Sequence, residues 1–131
     1  MEGIRVGVRG EAVTRVDASN LAKTLGSGGL EVFSTPSLIT LMERAALESV
    51  SPYLSEGTST VGTLVNVRHL AASVEGAVIR CESELTGVDR RRLTFSVRAY
   101  DGNTLVGEGI HERFIVNDMV FMEKARGGRE D

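Results

Sequence analysis

The chain has 131 residues, of which 41% are hydrophobic and 25% are charged, and its formal net charge is −3. This length and composition predict a single globular domain over residues 1–131, and the negative charge gives no general attraction to nucleic acid. No run approaches the roughly 18 apolar residues that a membrane-spanning helix needs, and no segment is typical of a signal peptide. The single cysteine, Cys81, excludes a disulfide within the chain and suits a reducing compartment. We therefore expect a cytoplasmic protein that binds neither membranes nor nucleic acid.

The first predicted element is a β-strand over residues 4–16, where apolar residues alternate with polar ones. Leu21 and Ala22 suit a short helical turn. The loop Gly26-Ser27-Gly28-Gly29 has neither the Walker spacing nor the G-x-G-x-x-G pattern of a phosphate-binding loop. We interpret it as a turn that leads into the next helix, with a mobile lid over a site as the alternative.

A long helix that begins at Thr35 and ends before Pro52 is the central prediction. A capping hydroxyl on Thr35 followed by Pro36 is typical of a helix start. Arg44 and Glu48 are expected to pair on one face. Apolar residues at helical spacing predict a buried stripe on the other face, formed by Leu38, Leu41, Met42, Ala45 and Ala46.

Glu43 does not fit this division, because it lies at the edge of the apolar stripe. None of the residues three or four positions away is cationic, so no pair within the helix explains it. Two interpretations remain open. The carboxylate either reaches from the helix flank into water, or is held near an apolar site for a partner from elsewhere in the fold.

The rest of the chain is predicted to be β-structure. Alternating patterns predict four strands, over residues 60–72, 76–87, 93–99 and 105–116. Asp101-Gly102-Asn103 is typical of a hairpin turn. Arg90-Arg91-Arg92 lies in another turn, either as solvated side chains or as a contact for substrate phosphates. Residues 126–131 are predicted to be a frayed tail.

These elements predict an α+β fold, in which an antiparallel sheet of about five strands covers the apolar stripe of a long central helix. Such a sheet has open edges, and pairing with a second copy of the chain is a common way to protect them. We therefore expect a homodimer or a higher oligomer, with the strand over residues 60–72 near the subunit boundary.

Three polar residues form the candidate site. His69 is predicted to share the helix-facing side of its strand with Val61, Thr63, Val65 and Val67, where a histidine is usually a hydrogen-bonded core residue. Glu43 faces the same interior, and a nearby carboxylate sets the tautomer of an imidazole and raises its basicity. Thr35 adds a hydroxyl at a helix N-terminus, where backbone N–H groups favour negative charge. A hydroxyl, an imidazole, a carboxylate and an anion-stabilising helix end are the groups that acyl transfer needs.

A metal site is not expected. His69 and His111 have no further metal-binding residues at ligand spacing around them. Cys81 falls on an apolar strand face and is interpreted as a small packing residue.

Five segments carry a family resemblance, and they are Val32-Phe33-Ser34-Thr35-Pro36, Leu41-Met42-Glu43, Glu56-Gly57-Thr58-Ser59-Thr60-Val61-Gly62-Thr63, His69-Leu70-Ala71 and Gly107-Glu108-Gly109-Ile110-His111-Glu112-Arg113. In order and spacing they resemble the fluoroacetyl-CoA thioesterase family of hot-dog-fold proteins. The resemblance extends over roughly residues 12–118.

The resemblance implies a hot-dog fold, a homodimer and hydrolysis of an acyl-CoA thioester at the subunit interface. Thr35, Glu43 and His69 fall on the catalytic residues of that family. Gly62 and Arg113 fall on its substrate-contacting positions. A residue without a Cβ at position 62 lets a ligand approach the backbone. For Arg113, the alternative to a substrate contact is an ion pair between strands or subunits. Coenzyme A would enter only as part of the substrate, with no other cofactor.

One segment departs from the family. Fluoroacetyl-specific members carry an aromatic gate before the helix, whereas residues 24–32 contain no aromatic residue. We therefore expect an acyl-CoA thioesterase that acts on small or medium acyl groups without fluoroacetyl specificity. The alternative is a non-catalytic acyl-CoA or metabolite-binding protein on the same fold. The sequence leaves open whether Thr35 or Glu43 attacks the thioester, or whether His69 activates water.

Overall fold

A computed structural model describes residues 3–127, and they form one antiparallel sheet around a long helix. The elements are β1 (Arg9–Arg15), α1 (Ala22–Leu25), α2 (Thr35–Val50), β2 (Thr58–His69), β3 (Val78–Asp89), β4 (Arg92–Asp101), β5 (Thr104–Asn117) and α3 (Asp118–Gly127). The strands lie in the order β1-β3-β4-β5-β2, so that β1 and β2 are the two edges of this sheet. The predicted α+β class, central helix and five-stranded antiparallel sheet are confirmed.

Helix α2 is capped by Ser34 and not, as predicted, by Thr35. The Ser34 hydroxyl accepts a hydrogen bond of 3.1 Å from the backbone N–H of Ser37. Ser34 has the extended backbone that an N-cap residue needs, and Pro36 then lies in the first turn. Thr35 is consequently the first helical residue, and its hydroxyl is available for another contact.

The sheet buries the apolar stripe of α2 as predicted. Every residue of the stripe is at most 3% exposed, and the facing residues of β4, which are Leu93, Phe95, Val97 and Ala99, are fully buried. Arg44 and Glu48 form the predicted pair on the outer face, 3.9 Å apart. Cys81 is buried in the same core, and burial raises its pKa to about 12, so that the thiol is a protonated packing group.

Strand β2 contains a β-bulge that changes which residues face the helix. Gly62 and Leu64 pair with consecutive residues of β5, so Thr63 is an extra residue in this strand. Gly62 therefore pairs with a buried residue, whereas Val61 pairs with an exposed one. The prediction that Val61 and Thr63 share the helix-facing side of His69 is wrong, because a bulge interrupts the strict alternation on which it rested.

The two predicted turns are present. Gly102 has a φ of 61° in the hairpin between β4 and β5, and the turn between β3 and β4 has Arg90 with a φ of 58°. In that turn Arg92 pairs with Asp89 at 3.0 Å, and the arginine side chains are exposed.

The two ends of the described chain differ most from the prediction. Strand β1 begins at Arg9 instead of residue 4. Helix α3 was not predicted, and it includes residues 126 and 127 of the predicted tail, while residues 128–131 lie outside the described part. Helix α3 leaves apolar side chains exposed, namely Met119, Val120, Phe121 and Met122. Within residues 3–127, none of the helices has the length and apolar character needed to cross a membrane.

Candidate active site

Two of the predicted site residues meet where α2 begins and β2 ends. Thr35 Oγ1 lies 2.8 Å from Nδ1 of His69, which is hydrogen-bond distance. The contact forms because Thr35 is the first residue of α2 and His69 is the last residue of β2. The ring of Phe33 packs edge-on against the imidazole, with the centroids 6.5 Å apart. Hydroxyl and imidazole are thus held in the relation of a nucleophile and its base.

The second ring nitrogen of His69 is not satisfied within this chain. Nε2 is buried and has no hydrogen-bond partner among residues 3–127. Most buried polar atoms in proteins have such a partner, so the unpaired nitrogen leaves a position for a group from outside the described chain. Burial lowers the pKa of His69, which favours the neutral imidazole that a general base requires.

The backbone at the start of α2 offers a donor next to the Thr35 hydroxyl. Ser34 accepts from the N–H of Ser37 through its side chain and from the N–H of Leu38 through its carbonyl, and Pro36 has no N–H. Among the residues that the structure describes, the N–H of Thr35 is left without an acceptor. Together with the helix dipole, this N–H favours a developing negative charge.

An open cavity of about 330 Å³ lies over this pair of residues. Thr35, His69 and Phe33 line it together with small residues of the neighbouring loops, including Ala22, Ser27, Ala71 and Ala72. Small side chains leave room for a small group beside the hydroxyl. A cavity of about 530 Å³ elsewhere contains none of the predicted site residues, and charged side chains dominate its lining: Arg9, Glu11, Glu82, Glu84 and Arg98.

Glu43 belongs to a second group of residues further along the helix. Its Oε2 lies 4.0 Å from Nη1 of Arg113, and no hydrogen bond or ion pair joins it to His69 within residues 3–127. Thr35 and Glu43 are eight positions apart, which corresponds to about 12 Å of helix rise. The carboxylate does face a cation from another element, but that cation is Arg113, and the single chain does not bring Glu43 to His69.

Arg113 is held on three sides inside the fold. Its Nε and Nη2 donate to Oγ1 and to the backbone oxygen of Thr60, at 2.8 and 2.9 Å. Its Nη1 lies 3.2 Å from Nε2 of His111, whose Nδ1 is 2.8 Å from the carbonyl oxygen of Leu64. Arg113 is 6% exposed and His111 is fully buried. Burial lowers the pKa of both side chains, with the charge of Glu43 acting in the opposite direction on each.

Gly62 lies against this second group. A Cβ at position 62 would stand 2.7 Å from Oε2 of Glu43, 3.3 Å from the His111 ring and 3.4 Å from Nη1 of Arg113. The close approach of the β2 backbone to the carboxylate therefore depends on the absence of a side chain at this position.

Sequence reasoning missed His111 and Thr60, which complete the second group. A signal was present, since His111, Arg113 and Ile115 lie two residues apart and such residues share one face of a strand. Their relation to Thr60 depends on the register between β2 and β5, which the sequence did not show. No cluster of three metal-binding residues occurs in the part of the chain that the structure describes.

Comparison with known proteins identifies the family. A family model described as fluoroacetyl-CoA-specific thioesterase matches residues 16–119. The chain belongs to this family. A fluoroacetyl-CoA thioesterase from Streptantibioticus cattleyicolor is 38% identical to it over 96 residues, which are 73% of this chain and 69% of that protein. The predicted resemblance and the predicted class of thioester hydrolase are thereby confirmed.

Solved structures place the fold in the same family. A structure of the fluoroacetyl-CoA thioesterase FlK superposes with a TM-score of 0.89 at 34% identity, covering 95% of this chain and 97% of that one. A variant of FlK in complex with acetyl-CoA gives a TM-score of 0.90 at 32% identity, with 96% and 99% of the two chains covered. A Thermus thermophilus thioesterase superfamily member gives 0.91 at 26% identity, with 99% and 96% covered. The predicted hot-dog fold is confirmed.

Proposed function

We propose that the protein hydrolyses small acyl-CoA thioesters, with Thr35 as the nucleophile and His69 as its base. The observation that carries this proposal is the 2.8 Å contact between Thr35 Oγ1 and His69 Nδ1. In this contact the hydroxyl donates to Nδ1, and Nε2 carries the ring proton. A hydroxyl that already donates to a neutral imidazole is prepared to lose its proton as it attacks a carbonyl carbon.

The reaction follows from this arrangement in two steps. Thr35 Oγ1 attacks the thioester carbon, its proton passes to His69 Nδ1, and the oxyanion is stabilised by the N–H of Thr35 at the helix N-terminus. The C–S bond then breaks, and the imidazolium returns the proton to the leaving sulfur of coenzyme A. In the second step His69 takes a proton from water, which attacks the acyl-threonine ester, and the acid is released as the proton returns to Thr35.

A second copy of the chain is proposed to complete the site. Strand β2 is an edge of the sheet, and Leu64 and Val65 near its centre are 43% and 37% exposed. Two antiparallel copies of β2 would place the His69 end of one strand beside the Gly62 end of the other. Glu43 of the partner subunit would then approach the unpaired Nε2 of His69, where a carboxylate stabilises the imidazolium.

We base the choice of a short acyl group on the ligands of related structures. Crystal structures of FlK variants contain acetyl-CoA in one case and fluoroacetate with CoA in another, which supports an acyl-CoA substrate here. The reaction as proposed needs no cofactor beyond the coenzyme A of the substrate. We place the protein in the cytoplasm, since its one cysteine is a buried free thiol.

The test is a hydrolysis screen with acetyl-, fluoroacetyl-, branched and aromatic acyl-CoA, measured as released thiol, with Thr35→Ala as the matched control. We expect turnover of the short substrates and no preference of several orders of magnitude for fluoroacetyl-CoA over acetyl-CoA, because residues 24–32 supply no aromatic gate. Binding of acyl-CoA without turnover of any substrate would instead identify a binding protein.

A further inference from the structure

The guanidinium of Arg113 lies among residues of three elements, β2, β5 and α2. On one side, Thr60 of β2 accepts from Nε and Nη2. On the other side, Nη1 lies between the His111 ring and Glu43, at 3.2 Å from His111 Nε2 and 4.0 Å from Glu43 Oε2. At 4.0 Å the ion pair is longer than a hydrogen bond, so Glu43 alone does not fix this nitrogen.

The geometry determines the tautomer of His111. The carbonyl oxygen of Leu64 can only accept, so Nδ1 carries the ring proton at 2.8 Å. Nε2 therefore has a free lone pair and accepts from Nη1 of Arg113. The ring is fully buried and stacks on Phe95, with the centroids 6.2 Å apart and the planes at 29°. Leu64 closes the bulge in β2, so the same bulge that turns Gly62 toward the helix also supplies the acceptor for His111.

We infer that His111 is a positioning residue, whose neutral imidazole holds the Arg113 guanidinium toward Glu43. This inference rests on the proposed function, because the consequence for catalysis acts through Glu43. Thr60, His111 and the bulge form a rigid frame around Arg113. Displacement of a catalytic group by about 1 Å can cost 10²-fold in rate, and the frame prevents such a displacement of the carboxylate.

The arrangement is sensitive to protonation of His111. A proton on Nε2 would point at the N–H groups of Arg113 and remove the acceptor. The charged groups that face the ring are Arg113 on its own strand and Glu43 on α2, and Glu112 acts on it from the opposite face of β5. Strand β2 contributes a carbonyl and β4 contributes Phe95. Burial keeps the pKa of His111 below its ordinary value of 6.5, so the frame is intact at neutral pH.

The experiment compares two substitutions at this position. His111→Gln retains an amide oxygen that accepts from Arg113 but does not titrate, whereas His111→Leu has a similar size and no acceptor. We expect His111→Leu to lower kcat by about 10-fold to 100-fold with little change in KM, and His111→Gln to restore most of kcat. In His111→Gln, the decline of kcat on acidification should also depend on one titrating group fewer than in the wild type. Phe95→Leu is the control, since it loosens the same ring without removing the acceptor and should leave the pH profile unchanged.

A readout independent of turnover separates this inference from the proposed function. By side-chain ¹⁵N NMR, the wild-type and His111→Gln proteins should show slow rotation of the Arg113 guanidinium, and His111→Leu should show fast rotation. Equal rotation in the Leu and Gln variants, or equal kcat per folded molecule, would overturn the role of His111. Absence of turnover in the wild type, with the NMR difference present, would overturn the proposed function and leave the frame intact.

Discussion

At the scale of single residues, helix capping and the proposed chemistry are divided between two neighbouring hydroxyls. Ser34 caps α2, and Thr35 contacts His69. We expect Thr35→Ala to lower turnover by roughly 10²-fold or more, as for other groups that take part in acid–base chemistry, with little loss of stability. Ser34→Ala should cost about 1 kcal/mol in the free energy of unfolding while retaining turnover per folded molecule.

Steady-state kinetics and denaturant unfolding on the same preparations measure both effects. If Thr35→Ala were to destabilise the protein as much as Ser34→Ala and remain active, Thr35 would be a structural residue, and the proposed nucleophile would be wrong.

His111 predicts how stability depends on pH. Burial lowers the folded-state pKa of His111 below the ordinary value of 6.5. Between that value and the folded-state pKa, the unfolded chain binds more protons than the folded protein. The free energy of unfolding should therefore fall as the pH is lowered through this window, by up to about 1.4 kcal/mol per pH unit from His111. Urea unfolding at a series of pH values between 7 and 5 measures this slope.

His111→Gln provides the comparison, since glutamine does not titrate. The free energy of unfolding should depend less steeply on pH in this variant, because one titrating histidine is absent. A wild-type stability that stays constant across the window, or an equal slope in the variant, would show that His111 is not held neutral by burial.

At the scale of elements, the bulge in β2 places the backbone of Gly62 against Glu43. In Gly62→Ala the new Cβ would stand 2.7 Å from Oε2 of Glu43, so the carboxylate must move away from its position. We expect the variant to fold and to lose turnover by about 10²-fold. Gly87→Ala is the matched control, because Gly87 also lies next to a register shift, but its Cβ would meet Thr94 at an ordinary 3.5 Å.

Steady-state kinetics and thermal melts of Gly62→Ala and Gly87→Ala measure the effects on turnover and on stability. Equal activity in both would mean that the position of Glu43 does not depend on Gly62. A large loss of melting temperature in Gly62→Ala alone would assign this glycine to folding instead of catalysis.

The elements that the sequence predicted are those whose signal is periodic. The stripe of α2 and the alternation of β4 repeat over several turns or residues, and both gave the correct buried faces. The bulge at Thr63 is a single inserted residue, and a periodic pattern does not reveal one. The side of the sheet to which Val61 belongs was therefore predicted wrongly. Ser34 and Thr35 are both good caps, and only the backbone conformation of Ser34 distinguishes them. The role of His111 depends on the register between β2 and β5.

At the scale of the whole molecule, the described chain contains two incomplete groups. Thr35 and His69 lie at the N-terminal end of α2, while Glu43, Gly62, His111 and Arg113 lie further along the fold. Neither group has the full set of nucleophile, base and carboxylate. An antiparallel pairing of two β2 edges would bring the two groups together twice in each dimer, because such an interface is symmetric.

Subunit complementation tests this central claim most directly. Thr35→Ala and Glu43→Gln should each be nearly inactive as pure proteins, and both should sediment as dimers of the 14.1 kDa chain. After unfolding and refolding together in equal amounts, half of the dimers contain one chain of each kind, and each of these has one site with intact Thr35, His69 and Glu43. We predict recovery of about a quarter of the wild-type turnover. No recovery from verified mixed dimers, or sedimentation as a monomer only, would contradict a site shared between two chains.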